Sequence, residues 1–506
     1  MKKTAAFFLI LVISFTAVAC AQRKPDYYAG GYGSTDDLQK PADSSSVVDT
    51  LVDPENTTPI YTEDPSGSEE PPVSTDPSSP TPDFHGESFR ILCMEQFSYE
   101  VFGDEMSGKE LDAAVWERNC KVEDALNVVI EHEVLSSNGT EFYNAVVSSV
   151  LADDKRCEIA LPDVRTAGDL LIAGALSPWD DYKMIDSSDL FYTSEMNCCL
   201  SFAGKQYLLY TDMNLSSIGS TYVMAMNKVL GNELGLAETV IGLVDRGNFT
   251  LDAFVNVLAE VDNGKASGIS ASFRELSSMI SGFGASFVDY CMFDVLENWG
   301  SGYLFSNYYE HCFDKVEKGV TFLMKIGADD GNSVSETNNG DFGNGKALFS
   351  VMTLDVADRI DDTSDFAVVY LPLPKLNDTQ NTYTTQSSGN NTVTVRDKTV
   401  SDTYFVCCVT AHLSKASQKI NEMKLEWLRN NKNNDFLTEI LKSRRSDLST
   451  FFKLRETYFF KPAEQYIANG NYSTVSYSDI CSAYIDPLKQ QLEHIVSNYS
   501  SNVPEE

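Results

Sequence analysis

The fold is decided by residues 88–134, SFRILCMEQFSYEVFGDEMSGKELDAAVWERNCKVEDALNVVIEHEV, where the hydrophobic pattern changes twice. The apolar run Phe89–Cys93 predicts a buried strand, because short continuous apolar segments are typical of sheet cores. A helical pattern follows over Glu110–Leu126, and a second strand-like run follows over Asn127–Val134. Strand, helix and strand in this order form the unit of a mostly parallel sheet, so the stretch predicts an α/β fold.

The rest of the chain continues this alternation. We predict, in chain order, a helix at Glu141–Leu151, a strand at Glu158–Leu161, a helix at Thr166–Ala175, an apolar hairpin-like region at Tyr207–Met226, a mainly helical middle at Thr250–Lys325, a strand pair at Ala347–Met352 and Phe366–Leu371, a strand-like segment at Tyr404–Val409, and a helix-rich C-terminus. Two groups of βα units separated by a helical middle favour two α/β lobes over one large sheet.

The charge balance excludes several classes of partner. The chain has 506 residues, with 38 Lys and Arg against 74 Asp and Glu, and a net charge of −36. Binding a phosphate backbone needs a concentrated basic surface, so nucleic acid and acidic membranes are disfavoured as partners. A hydrophobic content of 42% is that of a globular protein. The absence of any run of 18 apolar residues excludes a multi-span membrane protein.

The N-terminus has the pattern of an export signal. Lys2 and Lys3 precede an apolar run at 5–19, which is too short to span a bilayer and ends in small residues before Cys20. The ending Ala17-Val18-Ala19-Cys20 is similar to a bacterial lipobox, which predicts a lipoprotein signal peptide at 1–19 and acylation of the Cys20 thiol. The alternative is an ordinary signal peptide that is cut after Ala19 and leaves Cys20 as a free thiol.

The segment that follows Cys20 has the composition of a tether. Residues 21–83 are rich in Ser, Thr, Pro and acidic residues, with 13 acidic and 3 basic side chains. Such a segment cannot bury enough apolar surface to offset the entropy lost on ordering. We therefore predict a disordered acidic stalk over residues 20–84.

Ten cysteines remain besides Cys20. Export permits disulfides, yet the adjacent pairs Cys198-Cys199 and Cys407-Cys408 lie in apolar, strand-like or strand-adjacent surroundings, and neither belongs to a CxxC motif. We therefore predict that most of the cysteines are small buried hydrophobes. The sequence leaves open whether one or two disulfide bonds form, since the pairing of cysteines cannot be derived from sequence.

No enzyme or metal motif in the sequence is complete. Residues Gly340–Ala347 have the spacing of a phosphate-binding loop, but they end in Ala where Ser or Thr must bind magnesium, and they precede a strand. The five histidines show no ligand spacing, and no G-x-S-x-G motif occurs. We therefore expect no catalytic residue, no metal and no cofactor.

Seven stretches in a fixed order resemble the bacterial extracellular solute-binding proteins of family 1, the carbohydrate-type receptors of ABC importers, and in particular their Clostridia-type branch. The stretches are Ala114–Glu133, Glu158–Leu176, Leu200–Asn214, Tyr222–Leu236, Phe249–Val261, Gly345–Val351 and Val368–Thr385. The resemblance implies a periplasmic-binding-protein-like type II fold, in which two α/β lobes joined by a hinge close over a ligand. It implies lobe one at 85–220 and 366–437, and lobe two at 221–365 and 438–500.

The chain departs from this family in two places. Only Asp262-Asn263-Gly264 stands where the family often carries a calcium-binding type of loop, so we predict no calcium site. The segment QSSGNNTVTVRDK, after Thr385, lacks the aromatic and Pro-Gly character that the family shows there. This second departure leaves the class of ligand open.

Ligand-binding residues are expected in the loops after strands, because open α/β sheets bind ligands outside the carboxyl ends of their strands. Aromatic faces and planar polar groups suit neutral sugars, since a buried hydroxyl without a partner costs about 1 to 3 kcal/mol. The candidates are Gln96, Tyr99, Asp163, Arg165, Asp212, Tyr222, Phe273, Arg274, Trp299, Thr353, Asp355, Tyr383 and Thr384. The alternative for Arg165 is a surface ion pair with Asp163 or Asp169, and for Asp212 it is a capping role.

The resemblance implies a lipid-anchored receptor on the extracytoplasmic side of the cell membrane. Such a receptor captures a small solute, here a sugar or oligosaccharide, and delivers it to the permease subunits of an ABC importer. We expect a monomer without enzymatic activity and without a nucleic-acid partner. The alternatives are a surface lipoprotein with a glycan-adhesion or hydrolase role, and a ligand sensor with the same fold.

Overall fold

The computed structural model describes residues 81–179, 194–197, 200–202, 205–261, 265–284, 318–319, 321–322, 333–335, 340–432, 436–446, 451–452, 487 and 490. The strands are β1 (Glu87–Met94), β2 (Val128–Leu135), β3 (Ile159–Leu161), β4 (Leu176–Ser177), β5 (Ser201–Phe202), β6 (Lys205–Gln206), β7 (Tyr222–Asn227), β8 (Ser267–Ser272), β9 (Ser333–Ser335), β10 (Ala347–Thr353), β11 (Val368–Leu371), β12 (Thr385–Gln386), β13 (Val395–Asp397) and β14 (Arg444–Arg445).

The helices are α1 (Glu110–Leu126), α2 (Gly139–Ala152), α3 (Val164–Ile172), α4 (Ser194–Asn197), α5 (Ser216–Gly219), α6 (Lys228–Glu233), α7 (Ala237–Asp245), α8 (Leu251–Ala259), α9 (Phe273–Ser277), α10 (Met279–Gly282), α11 (Gly340–Gly343), α12 (Leu354–Thr363), α13 (Thr403–Lys432) and α14 (Leu437–Lys442). Two 3₁₀ helices, Glu95–Glu100 and Glu105–Ser107, follow β1. Within the described residues, no helix has both the length and the apolar content needed to cross a bilayer.

The first sheet has the strand order β2-β1-β3-β13-β4. β1 pairs in parallel with β2 and β3, whereas β13 returns from a distant part of the chain and pairs antiparallel with β3 and β4. The predicted helix at Glu110–Leu126 is confirmed, and it buries Val115 and Val122 on one face. Asn127 ends this helix in the left-handed conformation, which Asn tolerates better than most residues, and β2 starts at the next residue.

The second sheet has the strand order β11-β7-β10-β8-β9. Both strands of the predicted pair, Ala347–Met352 and Phe366–Leu371, form, but they do not pair with each other, because β7 lies between them and is antiparallel to both. The resemblance implies that the chain returns to lobe one at residue 366. The structure differs, because Val368–Leu371 is still a strand of the second sheet. The other lobe boundaries stay predictions.

The chain crosses between the two sheets in buried irregular segments. The predicted hairpin at Tyr207–Met226 is wrong, because the β-bridges of this stretch are formed with the returning chain. Leu209 bridges to Thr394, and Thr221 bridges to Ser387. Residues 207–226 are all buried. Burial between two parts of the chain therefore accounts for the apolar composition that suggested a hairpin.

Tyr404–Val409 forms the first turns of α13, so the predicted strand-like segment is wrong. Residues 405–409 are at most 2% exposed and pack with Phe89 and Ile91 of the first sheet. A helix buried on all sides shows no helical period, so its apolar run cannot be distinguished from a strand by pattern.

The described cysteines are mostly buried, as predicted. Cys93, Cys157, Cys407 and Cys408 lie in the core, and Cys120 is half-buried. Burial raises the pKa of Cys408 to about 12, so its thiol stays protonated and behaves as an apolar group at neutral pH. The pair Cys198-Cys199 lies outside the described residues.

Candidate functional site

Three loops meet at the carboxyl edge of the first sheet. β1 is followed by the 3₁₀ helix Glu95–Glu100, β2 by residues 136–138 and α2, and β3 by residues 162–163 and α3. The backbone amide of Gln96 donates a hydrogen bond to Ser137 Oγ at 3.0 Å, which joins the first two loops. Open α/β sheets bind their ligands at this kind of edge.

A groove of about 490 Å³ with both polar and apolar lining residues lies at this edge, between α2 and α3. It is lined by Asn138, Gly139, Thr140, Tyr143, Asp163, Arg165, Thr166, Asp169, Ile172 and Ala173. The structure therefore brings two predicted residues, Asp163 and Arg165, into one wall with an aromatic ring, an amide and a second carboxylate. The volume lies within the range of small-molecule sites.

Helix caps give the groove its shape. The side chain of Asn138 accepts a hydrogen bond from the amide of Thr140 at 3.0 Å, and Asp163 Oδ1 accepts one from the amide of Thr166 at 2.7 Å. The two helices approach so closely that a Cβ on Gly139 would lie 2.6 Å from Thr166 Oγ1. Both helix N-termini carry a positive dipole end, which suits oxygen atoms of a ligand.

The second sheet presents a carboxyl edge of its own. β10 runs into α12, where Asp355 is exposed and accepts a hydrogen bond from Thr353 Oγ1 at 2.5 Å. Tyr222 starts the antiparallel β7 directly opposite Thr353. β8 runs into α9, so the backbone of Phe273 and Arg274 lies at the same edge, while their side chains lie outside the described residues. Five predicted residues thus gather at the second edge.

Tyr99 connects the two edges. Its side chain is hydrogen-bonded to Ser216 in the crossing from the first sheet to the second, and it lies near the carboxylates of Glu100 and Asp355. Burial is the main reason that the pKa of Tyr99 is raised, and the two carboxylates raise it further. A predicted residue after β1 and a predicted residue after β10 are therefore close enough for their charges to interact.

Glu100 is the acidic centre of this contact. It is fully buried, and its carboxylate accepts hydrogen bonds from the amide of Ser216 and from Thr392 Oγ1, both at 2.5 Å. Ser216 and Thr392 belong to the outgoing and the returning crossing, so one carboxylate holds both segments. Burial raises the pKa of Glu100 to about 7, although these hydrogen bonds and the nearby Arg118 favour the charged form.

Buried cations surround the crossings. Burial lowers the pKa of Arg118 and of Arg444 to about 10. Arg118 Nη1 donates a hydrogen bond to Ser417 Oγ at 3.1 Å, and Arg444 Nη1 donates one to Ser217 Oγ at 3.3 Å. Arg118 thereby connects α1 to α13, and Arg444 connects β14 to α5.

Two predicted residues hold the crossings by contacts within the protein. Asp212 is fully buried, and its carboxylate accepts a hydrogen bond from Gln418 Nε2 at 2.8 Å. Tyr222 is 8% exposed, and its carbonyl oxygen accepts a hydrogen bond from Thr385 Oγ1 at 2.8 Å. These contacts give both residues a structural role, and their binding of a ligand stays a prediction.

The predicted pair in the returning crossing is also held by the second lobe. Tyr383 Oη accepts a hydrogen bond from the amide of Phe249 at 3.2 Å, and Thr384 Oγ1 donates one to the carbonyl oxygen of Ser281 at 2.7 Å. Both side chains anchor the crossing, and a ligand contact by either of them stays a prediction. Trp299 and Cys20 lie outside the described residues.

Sequence reasoning missed Asn138, Tyr143 and Glu100. Asn138 follows a strand, as Asp163 does, so applying the strand-end rule to β2 would have found it. Tyr143 lies one turn into α2 and has no comparable signal. Glu100 directly follows the candidate Tyr99, but nothing local marks it as buried, since Glu is mostly an exposed residue.

No group of three or more side chains suited to a metal ion occurs in the part of the chain that the structure describes. The shortened loop Asp262-Asn263-Gly264 lies outside that part, so the predicted absence of calcium there stays a prediction.

The comparisons with known proteins bear on the fold. No protein-family model and no curated protein matches the chain. Among solved structures, a family 1 extracellular solute-binding protein from Bifidobacterium longum subsp. infantis is similar over 80% of this chain and 100% of its own, with a TM-score of 0.52 and 13% identity. The sugar-binding protein MalE from Xanthomonas citri is similar over 83% and 100%, with a TM-score of 0.53 and 13% identity.

A cyclo/maltodextrin-binding protein, solved with maltotetraose, is similar over 81% of this chain and 99% of its own, with a TM-score of 0.50 and 11% identity. All three comparisons cover nearly the whole length of the known protein, and the shared fold is the one that the resemblance of the seven stretches implies. The chain therefore has the periplasmic-binding-protein-like type II fold of the extracellular solute-binding proteins.

Proposed function

We propose that this protein is an extracytoplasmic receptor that captures a sugar or oligosaccharide and delivers it to the permease of an ABC importer. The observation that carries the proposal is the groove at the carboxyl edge of the first sheet, which Asp163 and Arg165 line together with Asn138 and Tyr143. The fold is that of solute-binding proteins, and the Clostridia-type branch stays part of the proposal.

The groove supports a hydroxylated ligand. Tyr143 supplies an aromatic face, while Asn138, Asp163, Arg165 and Asp169 supply planar groups that donate or accept two hydrogen bonds each. A sugar ring presents an apolar face and several hydroxyls, and each buried hydroxyl needs a partner. Two of the similar solved proteins are described as a sugar-binding protein and as a maltodextrin-binding protein with maltotetraose.

Closure of the lobes would provide the affinity. A ligand that contacts both edges binds the closed arrangement better than the open one, and it shifts the population toward closure by that difference in affinity. Gln96, Tyr99, Asp163 and Arg165 would bind from the first lobe. From the second lobe the proposed contacts are Phe273, Arg274, Trp299, Thr353 and Asp355, with Asp212, Tyr222, Tyr383 and Thr384 at the crossings.

A lipid anchor would keep the receptor close to its permease. We propose that Cys20 is acylated, that the acidic stalk tethers the receptor to the extracytoplasmic face of the cell membrane, and that the receptor acts as a monomer without catalysis. Replacing Cys20 with Ala should abolish the incorporation of a labelled fatty acid and release the protein from the membrane fraction. Retained labelling would overturn the assignment of the anchor.

The ligand is tested by a thermal-shift screen of the Cys20→Ser chain against mono-, di- and oligosaccharides, with amino acids and short peptides alongside. Free ligand at about 100 times its dissociation constant adds about 2.7 kcal/mol to the free energy of unfolding. The variant Arg165→Ala with Tyr143→Ala should remove the shift, whereas Lys415→Ala, which changes an exposed residue of α13 outside this groove, should retain it.

Each outcome decides between functions. A saccharide shift that the groove variant removes supports the proposal, and a saccharide shift that this variant retains moves the site away from the groove. A shift with peptides or amino acids only overturns the sugar assignment. Silence across the panel overturns solute capture of this kind in favour of adhesion or sensing, and hydrolysis of a labelled glycan would overturn the absence of catalysis.

A further inference from the structure

Lys424 lies where the two lobes meet, although no sequence motif marks it. It is part of α13, which packs on α1 of the first lobe through the hydrogen bond from Arg118 to Ser417 and through the buried contact of Ile420 with Val115. The side chain of Lys424 is partly buried and reaches α5: its Nζ lies 3.6 Å from the position that a Cβ would take on Gly219.

Asp355 reaches the same point from the second lobe. Its Cβ and Cγ lie 3.3 Å and 3.9 Å from that position on Gly219, so the ammonium and the carboxylate both lie within 4 Å of the space that a side chain at 219 would occupy. Any larger residue at 219 would crowd both groups. Glycine therefore lets the charges of the two lobes approach.

The charges around Lys424 favour attraction between the lobes. Burial is the main reason that the pKa of Lys424 is lowered, and Arg444 of β14 lowers it further, whereas Asp355 and Asp358 of α12 and Glu100 after β1 act in the opposite direction. Its ammonium makes no hydrogen bond to any of the residues that the structure describes. A partly buried cation without a hydrogen-bond partner is attracted to a nearby carboxylate more strongly than a solvated one, because the local dielectric constant is low.

We propose that Lys424 is a positioning residue, whose attraction to Asp355 across Gly219 holds the ligand-binding edges of the two lobes facing each other. The inference rests on the proposed function, because it concerns the lobe arrangement that captures the solute. The pair acts before any ligand binds, so it lowers the conformational cost of closure. A tenfold change in the ratio of two arrangements corresponds to about 1.4 kcal/mol.

The test measures the distance between the lobes in the ligand-free protein. Donor and acceptor dyes are attached to azide-bearing residues at Glu131 of β2 and Glu238 of α7, which are both exposed, and single-molecule energy transfer is recorded. Lys424→Met removes the charge and retains most of the side-chain length. Asp355→Asn removes the opposing charge from an exposed side chain, so it tests the pair even if Lys424→Met fails to fold.

Both variants should lower the population of the closer arrangement about tenfold. The double variant should lower it no further than either single variant, and Lys424→Arg should restore it. The matched control is Lys415→Met, which removes an exposed lysine of the same helix and should leave the distances unchanged.

Unchanged distances in the single variants, or effects that add in the double variant, would overturn the proposal. Weaker saccharide binding with unchanged ligand-free distances would also overturn it, and would make Lys424 a ligand contact instead. Because the distances are measured without ligand, failure of the saccharide screen and failure of this inference are separate results.

Discussion

Replacing Glu100 with Gln should change the pH dependence of stability. In the folded protein, burial raises the pKa of this carboxyl from 4.5 to about 7, whereas the unfolded chain exposes it to water. One pKa unit corresponds to about 1.4 kcal/mol, so the shift is worth roughly 3 kcal/mol of unfolding free energy. Gln retains the shape, accepts a hydrogen bond from the amide of Ser216, and can donate one to Thr392 Oγ1.

The direction of the effect follows from where the proton is bound. Between pH 4.5 and 7 the unfolded chain has released the proton of Glu100 while the folded state still holds it. The contribution of Glu100 to the free energy of unfolding therefore falls as the pH rises through this window. Gln does not titrate, so the stability of the variant relative to wild type should rise by up to about 3 kcal/mol between pH 5 and pH 8.

Urea unfolding at pH 5, 6, 7 and 8 measures this difference, because all groups common to the two proteins cancel in the comparison. Glu95→Gln is the matched control, since it changes an exposed carboxylate of the same 3₁₀ helix and should give a curve parallel to wild type. Parallel curves for Glu100→Gln and wild type would refute the reasoning. They would mean that Glu100 is already ionised in the folded state below pH 5.

Three further changes test the groove and the crossings. Gly139→Ala should lower the free energy of unfolding by about 1 to 3 kcal/mol, because its Cβ meets Thr166 Oγ1, and Thr166→Ala in the same chain should restore most of the loss in a urea titration. Asp163→Ala should lower the free energy of unfolding by about 1 kcal/mol, because α3 loses its N-terminal cap, whereas Asp163→Ser, which can still cap, should lower it by a few tenths. Equal losses for the two variants in thermal melts would contradict the capping role. Thr384→Val removes the hydrogen bond to Ser281, so it should lower the free energy of unfolding by about 1 kcal/mol and speed amide hydrogen exchange in α10. Unchanged exchange in α10 would mean that this hydrogen bond does not anchor the crossing.

Local pattern predicted the elements whose signals are local. Helix α1 agrees with its predicted bounds because acidic residues begin it, apolar residues recur at helical spacing, and Asn127 ends it. The loops after β1 and β3 were predicted as candidate sites by the same kind of reasoning, and the structure brings Asp163 and Arg165 into one groove wall.

Elements that depend on distant partners were predicted poorly. The apolar run Tyr404–Val409 predicts a strand because it has no helical period, and it has no period because Phe405–Val409 are buried on every face of α13. The hairpin at Tyr207–Met226 was wrong for a related reason, since its bridging partners Ser387 and Thr394 lie far along the chain.

The sequence by itself determined that this protein is an α/β protein of two lobes, and where along the chain its candidate binding loops lie, because helix caps, strand runs and turns are encoded within a few residues. Only the tertiary structure decided that β7 separates β10 from β11, that Glu100 is buried between two crossings, and that Lys424 and Asp355 both lie close to Gly219. Burial and charge proximity depend on residues that are remote in sequence, and no local pattern encodes which remote residues will meet.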